Sequence, residues 1–234
     1  MVKKFIHALC ITTALTVAAS AADTQKLDER IQAAQLVLHE IMDTPDKGIP
    51  EDVAASATCV AVVPSFKKGA FIVGGQYGQG VVTCRTGHGW SAPAFIQLTG
   101  ASFGLQAGGQ ATDLVLLATT HNAFERLLQD KVKLGGDIAA SAGPVGRNAQ
   151  ASTTELANAA ILTYSRSKGL FAGVDLTGDV VHQNTEDTQT YYGGRDLSYK
   201  TILTGGVPPP PSSRSFLATV RQLFHSSAAH NAAH

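Results

Sequence analysis

Apolar residues recur near the start of the chain at the period of a helix. Leu27, Ile31, Ala34, Leu38 and Ile41 alternate in steps of four and three, while Lys26, Glu29, Arg30 and Glu40 fall off that stripe. The spacing predicts an amphipathic helix over 24–44, closed by Pro45 and by Gly48-Ile49-Pro50. Such a stripe usually faces a core; contact with a membrane or a partner is the sharper reading. From Thr58 the texture changes to short apolar runs punctuated by glycine. Cys59–Val63, Ala70–Val73, Val81–Cys84, Ala94–Leu98, Phe103–Gly109 and Asp113–Ala118 predict strands, with turn chemistry at Pro64–Gly69, Gly74–Gly80 and Thr86–Gly89. A short helix is predicted at Asn122–Gln129, capped by Thr120 or Asn122. Strands follow within Lys131–Ala139, Ser152–Tyr164 and Leu170–His182, then a helical turn over Thr185–Tyr192. An extended spacer, Val207–Pro211, leads to Arg214–His225, where Phe216, Leu217, Val220, Leu223 and Phe224 share one helical face. Ser226–His234 is small and polar, which predicts disorder.

These elements predict an α+β domain: a curved, mainly antiparallel, glycine-rich sheet or partly closed barrel, packed by the N-terminal helix and short helices. Composition agrees, since 15% of residues are charged and 23 of 234 are glycine. Lys+Arg and Asp+Glu are both 18, and that balance argues against a general nucleic-acid binder, which needs a basic excess.

The first 22 residues alter the picture. Lys3 and Lys4 precede an apolar run from Phe5 to Ala18, and Ala19-Ser20-Ala21 supplies the small-x-small pattern of a signal-peptidase site. The run is shorter than the ~20 residues of a comfortable membrane span. An exported protein is expected, periplasmic or secreted and able to lie peripherally on a membrane. The expected organisation is a signal peptide at 1–22, a domain at 23–193, and a C-terminal extension at 194–234. Without Lys3 and Lys4 the remainder has 16 basic against 18 acidic residues, a net charge of −2.

Export would leave Cys59 and Cys84 where disulfides form. A plain meander puts them on its first and third strands, about 10 Å apart and beyond the reach of a bond. Either the strand order is not a plain meander or both thiols are free. Two free thiols are a liability in an oxidising space, which favours the bond. No Cys/His spacing suggests zinc, and no cofactor motif is present.

Several stretches resemble the SYLF family, which includes yeast actin-binding endocytic adaptors, animal phosphoinositide binders and many exported bacterial proteins. Gly89-Trp90-Ser91-Ala92-Pro93 with Phe103-Gly104-Leu105-Gln106-Ala107-Gly108 is similar to one family block. Leu134-Gly135-Gly136-Asp137 with Ala142-Gly143-Pro144-Val145-Gly146-Arg147 is similar to a second, and Tyr164–Gly173 to a third. Ile49-Pro50, the helix before it and Tyr191-Tyr192-Gly193 also fit, so the resemblance covers about residues 27–193. It implies lipid binding; neither the phosphoinositide ligand nor actin transfers to an exported chain.

Lipid binding asks for cations on surface loops beside apolar groups that enter the head-group region. Lys67 and Lys68, in a turn beside Phe66 and Phe71, fit that description. So do Arg147 after the Gly-Pro-Val-Gly turn, and Arg166 and Lys168 in Ser-Arg-Ser-Lys-Gly. For each, the plain alternative is a solvated turn residue. The glycine blocks lack the GxxxxGK[ST] spacing of a phosphate loop.

Two stretches match enzyme patterns. Gly100-Ala101-Ser102-Phe103-Gly104 matches GxSxG, with Asp137 and His182 following in hydrolase order. The elbow needs a helix immediately afterwards, however, and Leu105-Gln106-Ala107-Gly108-Gly109 forms helix poorly. Ser165-Arg166-Ser167-Lys168 matches SxxK without its SDN and KTG companions. The histidines His39, His88, His121 and His182 are scattered. The expected function is therefore non-catalytic binding of anionic phospholipid or membrane surface in the cell envelope. The alternative is a structural or protein-interaction module that docks an envelope protein through its terminal helices.

Export gives a direct expectation. Intact-mass measurement on protein from its native host should show loss of the first 21–22 residues. A mature chain that keeps Met1 would overturn both the export reading and the redox setting assumed for the cysteines.

Overall fold

The structure is a computed structural model describing residues 22–41, 48–104, 110–145, 159–167 and 170–225; the side chains of 69–73, 102–104, 110, 170 and 171 fall outside that description. The helical stripe forms helix α1, residues 22–41. Leu27, Ile31, Ala34, Leu38 and Ile41 are all buried, joined by Val37. The apolar face of α1 therefore belongs to the core, and its membrane-contact reading loses the surface it needs. A second helix, α2 (Glu51–Ser56), follows Pro50.

Among the described residues, nine strands build the curled sheet: β1 Cys59–Thr86, β2 Gly89–Trp90, β3 Ala94–Gly104, β4 Gln110–Ala118, β5 Lys131–Lys133, β6 Ala140–Ala142, β7 Ile161–Ser167, β8 Leu170–Gly173 and β9 Val180–Gln183. Their order is β5-β9-β3-β1-β4-β7-β6, with β2 paired to β1 and β8 to β7. All named pairs are antiparallel except β6 with β7. The helix α3 (His121–Leu127) starts at Thr120, whose hydroxyl accepts from the Ala123 N–H at 3.1 Å. Helices α4 (Thr185–Tyr191), α5 (Tyr199–Leu203) and α6 (Arg214–Leu223) complete the α+β fold.

The long strand β1 departs from the predicted meander. Its first arm, Cys59–Lys68, pairs with β4, while Ile72–Val82 pairs with β3. The two arms also lie against each other. The Arg85 N–H donates to Thr58 O at 2.7 Å, and the Cα atoms of Cys59 and Cys84 are 4.0 Å apart. Ala70–Val73 is thus not a separate strand between the cysteine strands, which removes the 10 Å gap the meander imposes. Cys59 and Cys84 form a disulfide. The arms approach this closely because glycines face the partner arm. A Cβ on Gly78 would stand 2.6 Å from Val63 Cγ1, and one on Gly80 would strike the Val62 carbonyl.

The terminal segment is also core. Phe216, Leu217, Val220 and Phe224 of the α6 region are buried, with the Phe224 ring edge-on to Trp90 at 6.1 Å. Arg85 stacks 4.8 Å over the other contact surface of this corner, the Trp90 ring, and donates to Ala57 O at 3.1 Å and Phe224 O at 2.8 Å. Burial lowers its pKa. The docking face that the alternative reading assigned to the terminal helices is accordingly occupied from within.

Ser102 lies within β3, where its backbone pairs with Gly74. The strand runs from Ala94 through Gly104, so Gly100–Gly104 makes no strand-to-helix elbow. Ser102→Ala should leave any ester hydrolysis by purified protein unchanged; complete loss with an intact fold would restore the elbow. The disulfide yields a second expectation. Its cysteines are separated by 25 residues, and closing such a loop stabilises by about 3 kcal/mol. Replacing both by alanine should lower the urea midpoint accordingly, and an unchanged midpoint would show the arms are held by packing alone.

Candidate functional site

The cations predicted for lipid contact separate into distinct environments. Between Val63 and Phe66 the β1–β4 register shifts by one residue, a bulge at Pro64-Ser65 with Ser65 at φ 52°. Pro64 has no N–H to lose there, and the Ser65 N–H finds Asp113 Oδ1 at 2.9 Å. Beyond the bulge, Phe66 turns into the core and Lys67 turns out to solvent. The expectation that Phe66 would reach a membrane is therefore corrected, because the ring is fully buried. Phe71 lies outside the described side chains. Lys67 is exposed and has no carboxylate partner among the described residues. Lys68 is half-buried, its Nζ 6.0 Å from the Phe66 ring centroid.

Arg166 has a different setting. It sits in β7 rather than in a turn, opposite Asp113 on β4. Its guanidinium contacts Glu40 of α1 and, at 3.2 Å, Asp113 Oδ2. Two carboxylates engage it, so it joins α1 to the sheet instead of offering free charge. Arg147 and Lys168 lie outside the described residues.

A cleft of about 230 Å³ opens beside Lys67, lined by Arg30, Pro64, Ser65, Tyr77, Gly78 and Gln79. Tyr77 is 45% exposed, unusual for a large ring in this fold. Arg30 forms the wall from α1: it donates to Asp187 Oδ2 at 2.5 Å and Gln79 Oε1 at 2.8 Å. Asn184 caps α4 and also donates to Asp187 at 2.6 Å, fixing the carboxylate that orients Arg30. Sequence reading found the lysine pair but missed Tyr77 and Arg30, which become neighbours only when β1 folds back under α1.

A second polar feature crosses the neighbouring strands. Gln76 of β1 pairs with Gly100 of β3, and Thr99 pairs with Val180 of β9, which places Asp179 beside Gly100. Over the glycine, Gln76 Nε2 donates to Asp179 Oδ1 at 2.5 Å. A Cβ at position 100 would collide with that carboxylate, so the contact requires glycine there. Asp179 is buried, and burial raises its carboxyl pKa to about 6, against the lowering effects of the Gln76 hydrogen bond and of Lys68. Among the described residues no three His, Cys, Asp or Glu side chains could hold a metal. No described helix is long and apolar enough to cross a membrane.

Comparison with known proteins places this geometry in a lineage. The chain is 38% identical over 171 residues to LAS seventeen-binding protein 3 of Saccharomyces cerevisiae, covering 71% of this chain and 37% of that protein. It is 36% identical over 168 residues to the human SH3 domain-containing YSC84-like protein 1, covering 71% of this chain and 48% of that one. The chain thus spans half or less of the length of these two relatives. Residues 99–223 match the family described as Ysc84, Las17-binding protein actin regulator, and on that match the chain belongs to the Ysc84 (SYLF) family.

Proposed function

We propose that this protein binds anionic lipid at a membrane surface, without catalysis, through the β1 end that carries Lys67, Lys68 and Tyr77. One observation carries the reading: a lysine with no carboxylate partner among the described residues and an exposed tyrosine border the same cleft. A lysine near an anionic surface gains about 1 kcal/mol, and a tyrosine ring suits the boundary between head groups and acyl chains. The membrane would be that of the cell envelope. The predicted export signal supports that location, and so does a buried disulfide, a bond that persists in oxidising compartments. Arg166 takes no part, since Glu40 and Asp113 already engage it.

A second reading, protein binding, is favoured by the printed name of the yeast relative, a binder of Las17. Here the partner would be an envelope protein. The apolar faces of α1 and α6 are buried, so such a partner would meet polar surface.

Vesicle co-sedimentation separates the two readings. The mature protein should bind phosphatidylglycerol vesicles and leave phosphatidylcholine vesicles alone, more weakly as salt rises. The double change Lys67→Glu and Lys68→Glu should weaken that binding by more than about tenfold. Equal binding to neutral and anionic vesicles, or indifference to the double change, would overturn the lipid reading and leave the protein partner to be sought in envelope extracts.

A further inference from the structure

The contact between Gln76 and Asp179 is incomplete as an ionised pair. Gln76 donates through Nε2 to Asp179 Oδ1 at 2.5 Å. The other two oxygens, Gln76 Oε1 and Asp179 Oδ2, are buried and have no hydrogen-bond partner among the described residues. Both are acceptors, so they cannot bond to each other. Turning the Gln76 amide over would not help, because the amide has one donor end and one acceptor end whichever way it lies. Unpaired buried polar atoms are costly, and two of them on one pair of side chains call for a common remedy.

A single proton supplies it. Placed on Asp179 Oδ2, it converts that oxygen into a donor for Gln76 Oε1. The carboxylic acid and the amide then close a ring of two hydrogen bonds, each group donating once and accepting once. We propose that Asp179 is a proton-operated lock: on taking a proton from solvent it closes an acid–amide pair with Gln76 over Gly100, tying β1, β3 and β9 together behind the basic end of the protein. Gly100 is part of the device, because any larger residue would occupy the space where the two side chains meet.

The surrounding charges fit a group that titrates in a physiological range. From β1, Lys68 favours the ionised form; from the segment before β9, Asp175 opposes it. Strand β3 carries no charged residue. On β9, His182 Nε2 is held by Thr99 Oγ1 at 2.9 Å, and on β5 Lys131 and Lys133 are exposed. Burial outweighs the Lys68 attraction and moves the carboxyl from the usual 3.8 to about 6. Because this pKa is raised in the folded state, the native protein holds the proton more tightly than the unfolded chain. Stability linked to Asp179 is therefore full below about pH 4 and is lost as pH rises through about 6.

The lock also bears on the proposed lipid site, and this part rests on that reading. Ionised Asp179 is a counter-charge to Lys68, while protonated Asp179 leaves the lysine uncompensated. Affinity for an anionic surface should then rise as pH falls, by about threefold to fivefold for one charge next to the surface.

Two independent measurements test the proposal. In urea denaturation of the full mature protein, D179N should exceed wild type at pH 8 and by a clearly smaller margin at pH 5, since the asparagine amide reproduces the donor and acceptor of the protonated acid. Loss of stability by D179N at both pH values overturns the lock. A carboxyl carbon NMR titration of wild type needs no variant: a midpoint near pH 6 is expected, and one below about 4.5 overturns the lock. For the coupling, wild type should bind phosphatidylglycerol vesicles more tightly at pH 5.5 than at 7.5, and D179N should bind equally at both. A wild type that binds at both pH values with the same affinity overturns the coupling. A protein that binds no vesicles overturns the lipid reading together with the coupling, while the denaturation and NMR results still decide the lock itself.

Discussion

Everything in this fold depends on β1 meeting itself. A 28-residue strand can do so only if its two arms tolerate contact with no side chain between them. Gly78 and Gly80 remove the volume, the Arg85–Thr58 hydrogen bond aligns the far ends, and the Cys59–Cys84 disulfide holds them. The consequence spreads outward. With its arms side by side, β1 presents one edge to β3 and the other to β4, so the sheet curls around the strand that starts it. Helix α1 and the α6 segment then close the curl with apolar faces that leave no free stripe.

The same event builds the candidate site. Residues 12 positions apart, such as Ser65 and Tyr77 with Lys67 near one of them, come to one cleft only because the chain reverses between them. The bulge at Pro64-Ser65 decides which side chains face water there. One extra residue on β1 sends Phe66 inward and Lys67 outward, and Asp113 secures the bulge from β4. Asp113 also holds Arg166, so the bulge, the β4–β7 pairing and the end of α1 share one ionic group.

The features legible in the sequence were those carried by local period and local capping. The stripe Leu27–Ile31–Ala34–Leu38–Ile41, the cap offered by Thr120 or Asn122 and the apolar run within Asp113–Ala118 each depend on neighbours within a few residues. What escaped depends on distant partners. Gly74–Gly80 reads as turn chemistry, yet here its glycines are strand positions chosen for close approach. The cysteine pairing is ambiguous for a meander, and it becomes decided only once β1 folds back on itself. Arg166 reads as a free cation because its carboxylates lie 53 and 126 residues away. Gly100 reads as part of GxSxG, whereas its constraint comes from Asp179, 79 positions later, and from Gln76 on the other side.

Charge at the basic end is finely balanced, and that balance explains why one buried carboxyl can matter. The chain after the predicted leader is slightly acidic, so attraction to an anionic surface has to be local, within a screening length of about 8 Å. Close to Lys67 and Lys68 stands the Glu40–Arg166–Asp113 group, which contains one more carboxylate than cation. The local surplus among these five residues is a single positive charge. Such a margin is large enough to orient the protein and small enough for one neighbouring group to cancel it. Asp179, tied by its charge to Lys68 and by its hydrogen bond to the same strand, is placed to do that. The glycine that lets β3 pass beneath the Gln76–Asp179 contact thus links the packing of the sheet to the electrostatics of its surface.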